Sequence, residues 1–307
     1  MKQRVVIAGA TGFIGYALAK SLSYDGYRVV SLSRSAARSR SILPFAEEHC
    51  EFRPGPASPQ EWKQSIDGAG AVINLAGESI GAGRWTESRK REILTSRIAA
   101  TTELAAAIQA APHPPESFIS ASAVGYYGDS SNSVLDESSP EGLGFLAQVS
   151  SQWENSSARA REATRVVNPR IGVVLGLTGG ALPRMMAPYK YFLGGSIGSG
   201  NQWISWIHID DLVDLLKLII NDSSISGPVN AVAPNPVRMR DFAKELGRAL
   251  HKPSFFRVPG WVLKLALGES SSLVLGGQCV WPRVATDKKF NYRYANLADA
   301  LSEIVKK

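Results

Sequence analysis

The chain has 307 residues, 44% of them hydrophobic, and carries 34 Lys and Arg against 27 Asp and Glu for a net charge of +7. That length buries a full core and suggests one large domain plus a smaller one, while two cysteines, Cys50 and Cys279, exclude a disulfide framework and fit a reducing, cytoplasmic setting. No apolar stretch reaches about 18 residues and no aromatic-interleaved basic stripe occurs, so neither a membrane nor a nucleic acid is expected as a partner.

Met1-Lys2-Gln3-Arg4 leads into an apolar run too short for a signal peptide. The run, Val5 to Ala8, is too short for a helix as well, and it meets Gly9-Ala10-Thr11-Gly12-Phe13-Ile14-Gly15. Phe13, Ile14, Ala17, Leu18 and Leu22 then repeat with helical period. This is strand, tight turn, helix. In such a turn the first glycine supplies the backbone angles, the second lets a pyrophosphate approach, and the third permits close helix packing. Gly9, Thr11, Gly12, Phe13, Ile14 and Gly15 are therefore the expected dinucleotide contacts, with the phosphates at the helix N-terminus.

A second strand spans Arg28 to Ser33, and no Asp or Glu occurs between Asp25 and Glu47. A dinucleotide-binding fold that prefers NAD(H) places an acid there, on the ribose 2′-hydroxyl. Here Ser33 and Arg34 stand at the strand end, with Arg38 and Arg40 beyond, which points to the 2′-phosphate of NADP(H). A solvated arginine-serine loop is the plainer alternative.

Residues Pro54 to Pro59 are loop-like, and Ser58 can cap a short helix through Ile66. Ala71 to Leu75 reads as a buried strand, so Leu75, Ala76 and Gly77 should lie along the cofactor at its carboxyl end. A long helix from Glu87 to Ala111 places Leu94, Ile98, Ala105 and Ile108 on its buried side. Arg97 is the one charge on it expected to reach back toward the cleft. Ser117 to Ser120 is another strand, followed by Ser122 and then Tyr126-Tyr127. Ser122 is placed to hydrogen-bond a carbonyl near the nicotinamide, or else to satisfy its own turn.

A helix from about Leu146 to Arg161 carries Trp153 and Glu154, and strands follow at Arg165–Val167 and Arg170–Leu175. Met185 to Gly200 reads as a helix and loop, Trp203 to Ile209 as a strand, and Asp210-Asp211 as the start of a helix through Ile220. His208, in an alternating strand beside tryptophans, is expected to be a packed structural residue. No His, Cys and acid spacing suggests a metal. Past Pro234-Asn235-Pro236 helices dominate, which divides the chain into residues 1–235 for the dinucleotide and 236–307, helped by 180–206, for the substrate.

Together, Gly9 to Gly15, Asn74-Leu75-Ala76-Gly77-Glu78, Arg84-Trp85-Thr86, Ser96-Arg97-Ile98, Ser122 to Gly128, Trp153-Glu154, Gly194 to Gly200 and Trp206 to Asp210 resemble one family. It is the extended short-chain dehydrogenase/reductase superfamily, in its atypical epimerase-family subgroup (nucleoside-diphosphate-sugar epimerase or SulA-like). The resemblance implies an α/β, Rossmann-type doubly wound parallel sheet with a smaller, mostly helical C-terminal lobe. It also implies NADP(H) held by Gly9 to Gly15, Ser33, Arg34, Leu75, Ala76, Glu92, Arg97 and Val174. Glu92 and Val174 rest on the resemblance alone.

Most of that superfamily uses a Tyr-x-x-x-Lys pair in which the ammonium lowers the tyrosine pKa. Aligning on Glu154 puts Leu146 and Ser150 at those positions. No tyrosine lies between Tyr127 and Tyr189, and no lysine between Lys90 and Lys190. Tyr16-Ala17-Leu18-Ala19-Lys20 fits the pattern by coincidence, on the first helix. Ser122 alone has a counterpart, with Tyr127 as an unconventional acid, although a phenol of pKa about 10 is a poor base at neutral pH. The expected function is an NADP(H)-binding epimerase- or reductase-like protein acting on an unidentified small polar substrate. The alternative is a non-catalytic NADP(H)-sensing regulatory or binding protein, linked to cell division by the SulA-like label. The chain is expected to be a monomer, or a homodimer paired through helices 87–111 and 146–161.

Overall fold

The computed structural model describes residues 3–55, 60–130 and 133–306. Ser58, read above as a helix cap, lies outside the described residues. β1 (Arg4–Ala8), α1 (Phe13–Tyr24) and β2 (Arg28–Ser33) follow the hydrophobic periods closely. The arginine-serine stretch after β2 is a short helix, α2 (Ala36–Ile42), whose cap Ser35 accepts from the Arg38 amide at 3.3 Å. Its alternating small and basic residues hide that helix from an apolar count. β3 (Glu48–Glu51) was equally hidden, being a short polar strand at the sheet edge, where one side needs no cover. α3 (Trp62–Ile66), β4 (Ala71–Asn74), α4 (Glu87–Ala110) and β5 (Ser117–Ser120) come next.

Beyond β5 the chain forms β6 (Ser122–Ala123), β7 (Val134–Leu135), α5 (Phe145–Ala158), β8 (Arg165–Ile171) and β9 (Val173–Leu175). The stretch expected to be helix and loop holds α6 (Leu182–Met186), a 3-10 turn over Ala187–Tyr191 and β10 (Gly195–Ile197). Trp203 to His208 divides into β11 (Trp203–Ile204) and β12 (Trp206–His208), then α7 (Ile209–Asn221) and β13 (Gly227–Ala231) follow. The C-terminal part contributes β14 (Val237–Arg238), α8 (Met239–Ala249), β15 (Phe256–Val258), α9 (Gly260–Leu267), α10 (Ser272–Leu275), β16 (Cys279–Val280), α11 (Arg283–Asp287) and α12 (Leu297–Lys306).

The main sheet is parallel, in the order β13-β8-β5-β4-β1-β2-β3, with β6 also paired to β8. The order reverses between β1 and β4, which opens a crevice at their carboxyl ends. Side chains alternate across β1. Val5 and Ile7 join a core with Leu18 and Leu22 of α1 and Leu212 and Leu216 of α7, whereas Val6 and Ala8 join Trp62 of α3 and Leu104 and Ile108 of α4. Both faces are thus covered, as a doubly wound sheet requires.

The buried side of α4 differs from the sequence reading. Ile93, Ala100, Leu104, Ala105 and Ile108 are buried, while Leu94 and Ile98 are only half-buried. The inward stripe runs 93, 97, 100, 104 and 108, so it includes Arg97, a residue that no hydrophobic reading places inside.

The C-terminal part has its own core, in which Tyr189, Trp206, Phe242, Leu246, Leu301 and Ile304 meet. Residues from the 182–206 region share it, through Leu182, Tyr189 and Ile204. Other C-terminal residues return to the N-terminal part: β16 pairs with β7 in a separate two-stranded sheet, and Ala285 of α11 packs in the α1 and α7 core. Among the described residues no helix is long and apolar enough to cross a membrane.

Candidate active site

The turn between β1 and α1 has the geometry its glycines imply. Gly9 has φ of +83°, and a Cβ there would lie 2.9 Å from the Leu75 carbonyl carbon and oxygen. A Cβ on Gly15 would lie 2.2 Å from the Gly9 oxygen. Gly12 is less confined, with 3.3 Å to that oxygen, and it precedes α1 without any side-chain cap. The first-turn amides of α1 therefore lack a capping acceptor on the side where Gly12 leaves room, as an anion cradle requires.

Around this cradle the fold gathers the other expected contacts. Leu75 donates its amide to the Ala8 carbonyl at 2.9 Å, so the end of β4 lies beside the turn. Asn74 shapes that end, accepting from the Ala76 amide at 3.1 Å and donating to Thr101 at 2.8 Å. The ring of Phe13 packs against Gly176 and Gly180, bringing the turn after Val174 and β9 to the same place. Ser33 bonds the Ser35 carbonyl at 2.8 Å, and the Arg34 side chain is 82% exposed beside Glu78, 3.3 Å away. Glu92 lies farther out, exposed and paired with Arg89 at 2.6 Å.

Arg97 sits against Gly77, 3.1 Å from where a Cβ would be, and its guanidinium lies 5.0 Å from the centre of the Trp153 ring. It donates to the Ile93 carbonyl at 3.0 Å. Burial pulls its pKa down to about 10, partly countered by Glu78, so it remains charged at neutral pH. Two buried polar atoms, Ser120 Oγ at the end of β5 and Nε1 of that same Trp153, have no hydrogen-bond partner.

Ser122 and Tyr127 enter one buried network. Ser122, 2% exposed, donates to Glu154 Oε1 at 2.7 Å. Arg170 grips the same carboxylate through Nε and Nη2, at 2.8 and 2.9 Å. Its Nη1 donates to the Tyr127 hydroxyl at 3.0 Å, and that hydroxyl donates to Asn230 Oδ1 at 2.7 Å. The Arg170 guanidinium also stacks 3.5 Å from the Tyr126 ring centre. Burial works against the charge of Arg170, but the bonds and charge of Glu154 outweigh it and raise its pKa. Tyr127 is 4% exposed, and burial pushes its pKa up to about 12 against the influence of Arg170. Both hydroxyls expected at the reacting centre, that of Ser122 as a hydrogen-bonding group and that of Tyr127 as an unconventional acid, thus have their protons engaged inside the protein.

Sequence reasoning missed Arg170 and Asn230. A lone arginine among Val166, Val167 and Ile171 was a legible signal, because a buried strand rarely carries an unpaired charge. Asn230 gave none. Leu146 faces the loop after Ser122, where a Cβ on Gly125 would lie 3.1 Å from its own Cβ.

His208 is a packed residue, as its strand pattern implies. It is buried, its Nδ1 accepts from the Asp210 amide at 3.1 Å, and its Nε2 lies 3.0 Å from Glu303. The fold brings His208, Asp210 and Glu303 within metal-binding reach of one another, a grouping that no local spacing could reveal. The cap fixes the proton on Nε2, facing Glu303, so both ring nitrogens already have partners.

Residues 5–231 match the NAD dependent epimerase/dehydratase family, and residues 258–304 match a domain of unknown function, DUF1731. An Arabidopsis thaliana protein, "Epimerase family protein SDR39U1 homolog, chloroplastic", is 42% identical over 305 residues, covering 98% of this chain and 86% of that one. "Epimerase family protein YfhF" of Bacillus subtilis is 39% identical over 303 residues, covering 98% and 97%. Among solved structures, human epimerase family protein SDR39U1 (isoform 2) with NADPH superposes with a TM-score of 0.87 at 35% identity, covering 99% of each chain.

Proposed function

The chain belongs to the NAD dependent epimerase/dehydratase family, and from that membership we propose that it binds NADP(H) and exchanges hydride with a small polar substrate as an epimerase- or reductase-like protein. The observation that carries this reading is the pairing of an uncapped glycine turn with an exposed Arg34 just past β2. Gly9 to Gly15 would hold the pyrophosphate, Ser33 and Arg34 the 2′-phosphate, and Leu75 to Gly77 and Arg97 the remainder of the dinucleotide. The NADPH in the human relative's structure supports the choice of cofactor. When bound, the nicotinamide supplies or accepts the hydride. Ser122 would orient the reacting oxygen, and Tyr127 would act through Arg170. The substrate would lie between the parallel sheet and the part formed by residues 236–307 together with 180–206.

Titration calorimetry with NADPH and NADH tests the cofactor. NADPH should bind more tightly, and Arg34→Ala should weaken it about 10–100-fold, the worth of one or two charge-assisted hydrogen bonds, while leaving NADH unchanged. Tighter NADH binding overturns the role of Arg34.

A second reading, an NADP(H) sensor that performs no redox chemistry, is favoured by the Ser122–Glu154 bond and by the sealed Tyr127 hydroxyl. Incubation of NADPH with sugar nucleotides, ketones and aldehydes separates the two. Steady NADPH oxidation, or epimerisation of a sugar nucleotide without net oxidation, that Ser122→Ala abolishes supports the enzyme, whereas tight binding with neither supports the sensor.

A further inference from the structure

Two stretches of this chain contain no acid at all, the residues between Glu162 and Asp210 and those between Glu245 and Glu269. The fold lays them side by side: β10 pairs in parallel with β15, Gly195 opposite Phe256 and Ile197 opposite Val258. Where they meet, large apolar side chains face outward. Tyr191 is 75% exposed and Phe255 74%, with Phe192, Leu193 and Phe256 exposed between them. Phe192 has φ of +60°, an unfavourable region for an aromatic residue, and turns its ring out under the Lys252 ammonium, 3.9 Å away. β15 continues into α9, which buries none of its residues and leaves Trp261 69% exposed.

The rim of this face is basic. Beside Phe255 lies an open groove of about 520 Å³ lined by Lys244, Arg248, His251 and Lys252. Arg248 is shared with Glu245, but among the described residues Lys190, Lys244, Lys252 and Lys264 form no ion pair. Exposed aromatic and leucine side chains flanked by Lys244 and Lys252 mark an interaction surface. A second copy docked on the same face would set lysine against lysine. The rings come from three short stretches, Tyr191-Phe192, Phe255-Phe256 with ring centres 5.0 Å apart, and Trp261 at the start of α9.

We propose that this face of the C-terminal part, Tyr191 to Leu193 with Phe255, Phe256 and Trp261, docks on the surface of an anionic lipid bilayer, the rings entering the interface and the lysines contacting lipid phosphates. This is attachment from one side, a mode to which the absence of a spanning helix does not speak. It does not depend on the cofactor.

The test is co-sedimentation of the full chain with vesicles of phosphatidylcholine alone or of phosphatidylcholine with one quarter phosphatidylglycerol. Binding should favour the anionic vesicles at least about tenfold and fall by a similar factor in high salt. Phe255→Ser with Trp261→Ser, and separately Lys190→Glu with Lys244→Glu, should each lower binding about tenfold or more while circular dichroism and Tm stay unchanged. Three results overturn the proposal. They are no binding of the wild type to anionic vesicles at low salt, equal binding by wild type and variants, and a solution dimer that the Phe255→Ser, Trp261→Ser variant dissociates.

Discussion

Ser122 Oγ donates its proton to Glu154 Oε1 at 2.7 Å, and Arg170 holds that carboxylate through two nitrogens. The serine is thereby oriented to accept from a ligand, and it donates only if it leaves Glu154. The ion pair supplies the orientation, from a helix on one side and a strand on the other.

Breaking this pair should be costly. Glu154→Ala leaves the Arg170 guanidinium buried without its carboxylate, and urea denaturation should show a loss of about 3–5 kcal/mol. Ser122→Ala removes one bond and should cost about 1–2 kcal/mol. Glu154→Leu combined with Arg170→Met should recover most of the loss, since an apolar pair there carries no uncompensated charge.

The turn glycines separate folding from ligand binding. Gly15→Ala drives its methyl into the Gly9 carbonyl at 2.2 Å, so both Tm and NADPH affinity should fall. Gly12→Ala meets the same carbonyl at 3.3 Å, a contact small shifts relieve. It should keep Tm within a few degrees while NADPH affinity drops about tenfold or more, because its methyl occupies the phosphate approach. Equal NADPH affinity in Gly12→Ala and wild type would remove that glycine from the binding site.

Arg97 lies on the buried stripe of α4 with no carboxylate bonded to it. Arg97→Leu relieves the burial of that charge and should leave stability unchanged or raise it by up to about 1 kcal/mol, a trade of function against stability. NADPH affinity measured on the same protein should fall about tenfold or more. A destabilised variant with undiminished affinity would make Arg97 a structural residue.

His208 should impose a pH dependence on stability. Burial lowers its pKa, outweighing Asp210 and Glu303, so the folded protein keeps the imidazole neutral where the unfolded chain, with a pKa of about 6.5, takes up a proton. The unfolded state then binds more protons, and stability is lost as pH falls below about 6.5 toward the lower folded-state value. His208→Asn retains a cap for α7 and should flatten the denaturation free energy between about pH 5 and 7. An unchanged slope would place the titration elsewhere.

The sequence by itself determined the strand-turn-helix at Gly9 to Gly15, the bounds of β2 and β5, and the packed role of His208, because each rests on a local period or a local steric demand. The acid-free stretch after β2, with Arg34 at the strand end, also carried the expectation of NADP(H). Tertiary structure alone decided that Ile93 and Ala100 of α4 are buried while Leu94 and Ile98 are half-buried, since that stripe depends on how the helix rotates against the sheet. It alone joined Ser122 to Glu154, 32 residues away, and Tyr127 to Asn230, 103 residues away. It also set the two acid-free stretches edge to edge, through the pairing of β10 with β15. Proton positions and exposed faces follow from what lies across the fold, and such neighbours leave no trace in hydrophobic spacing along the chain.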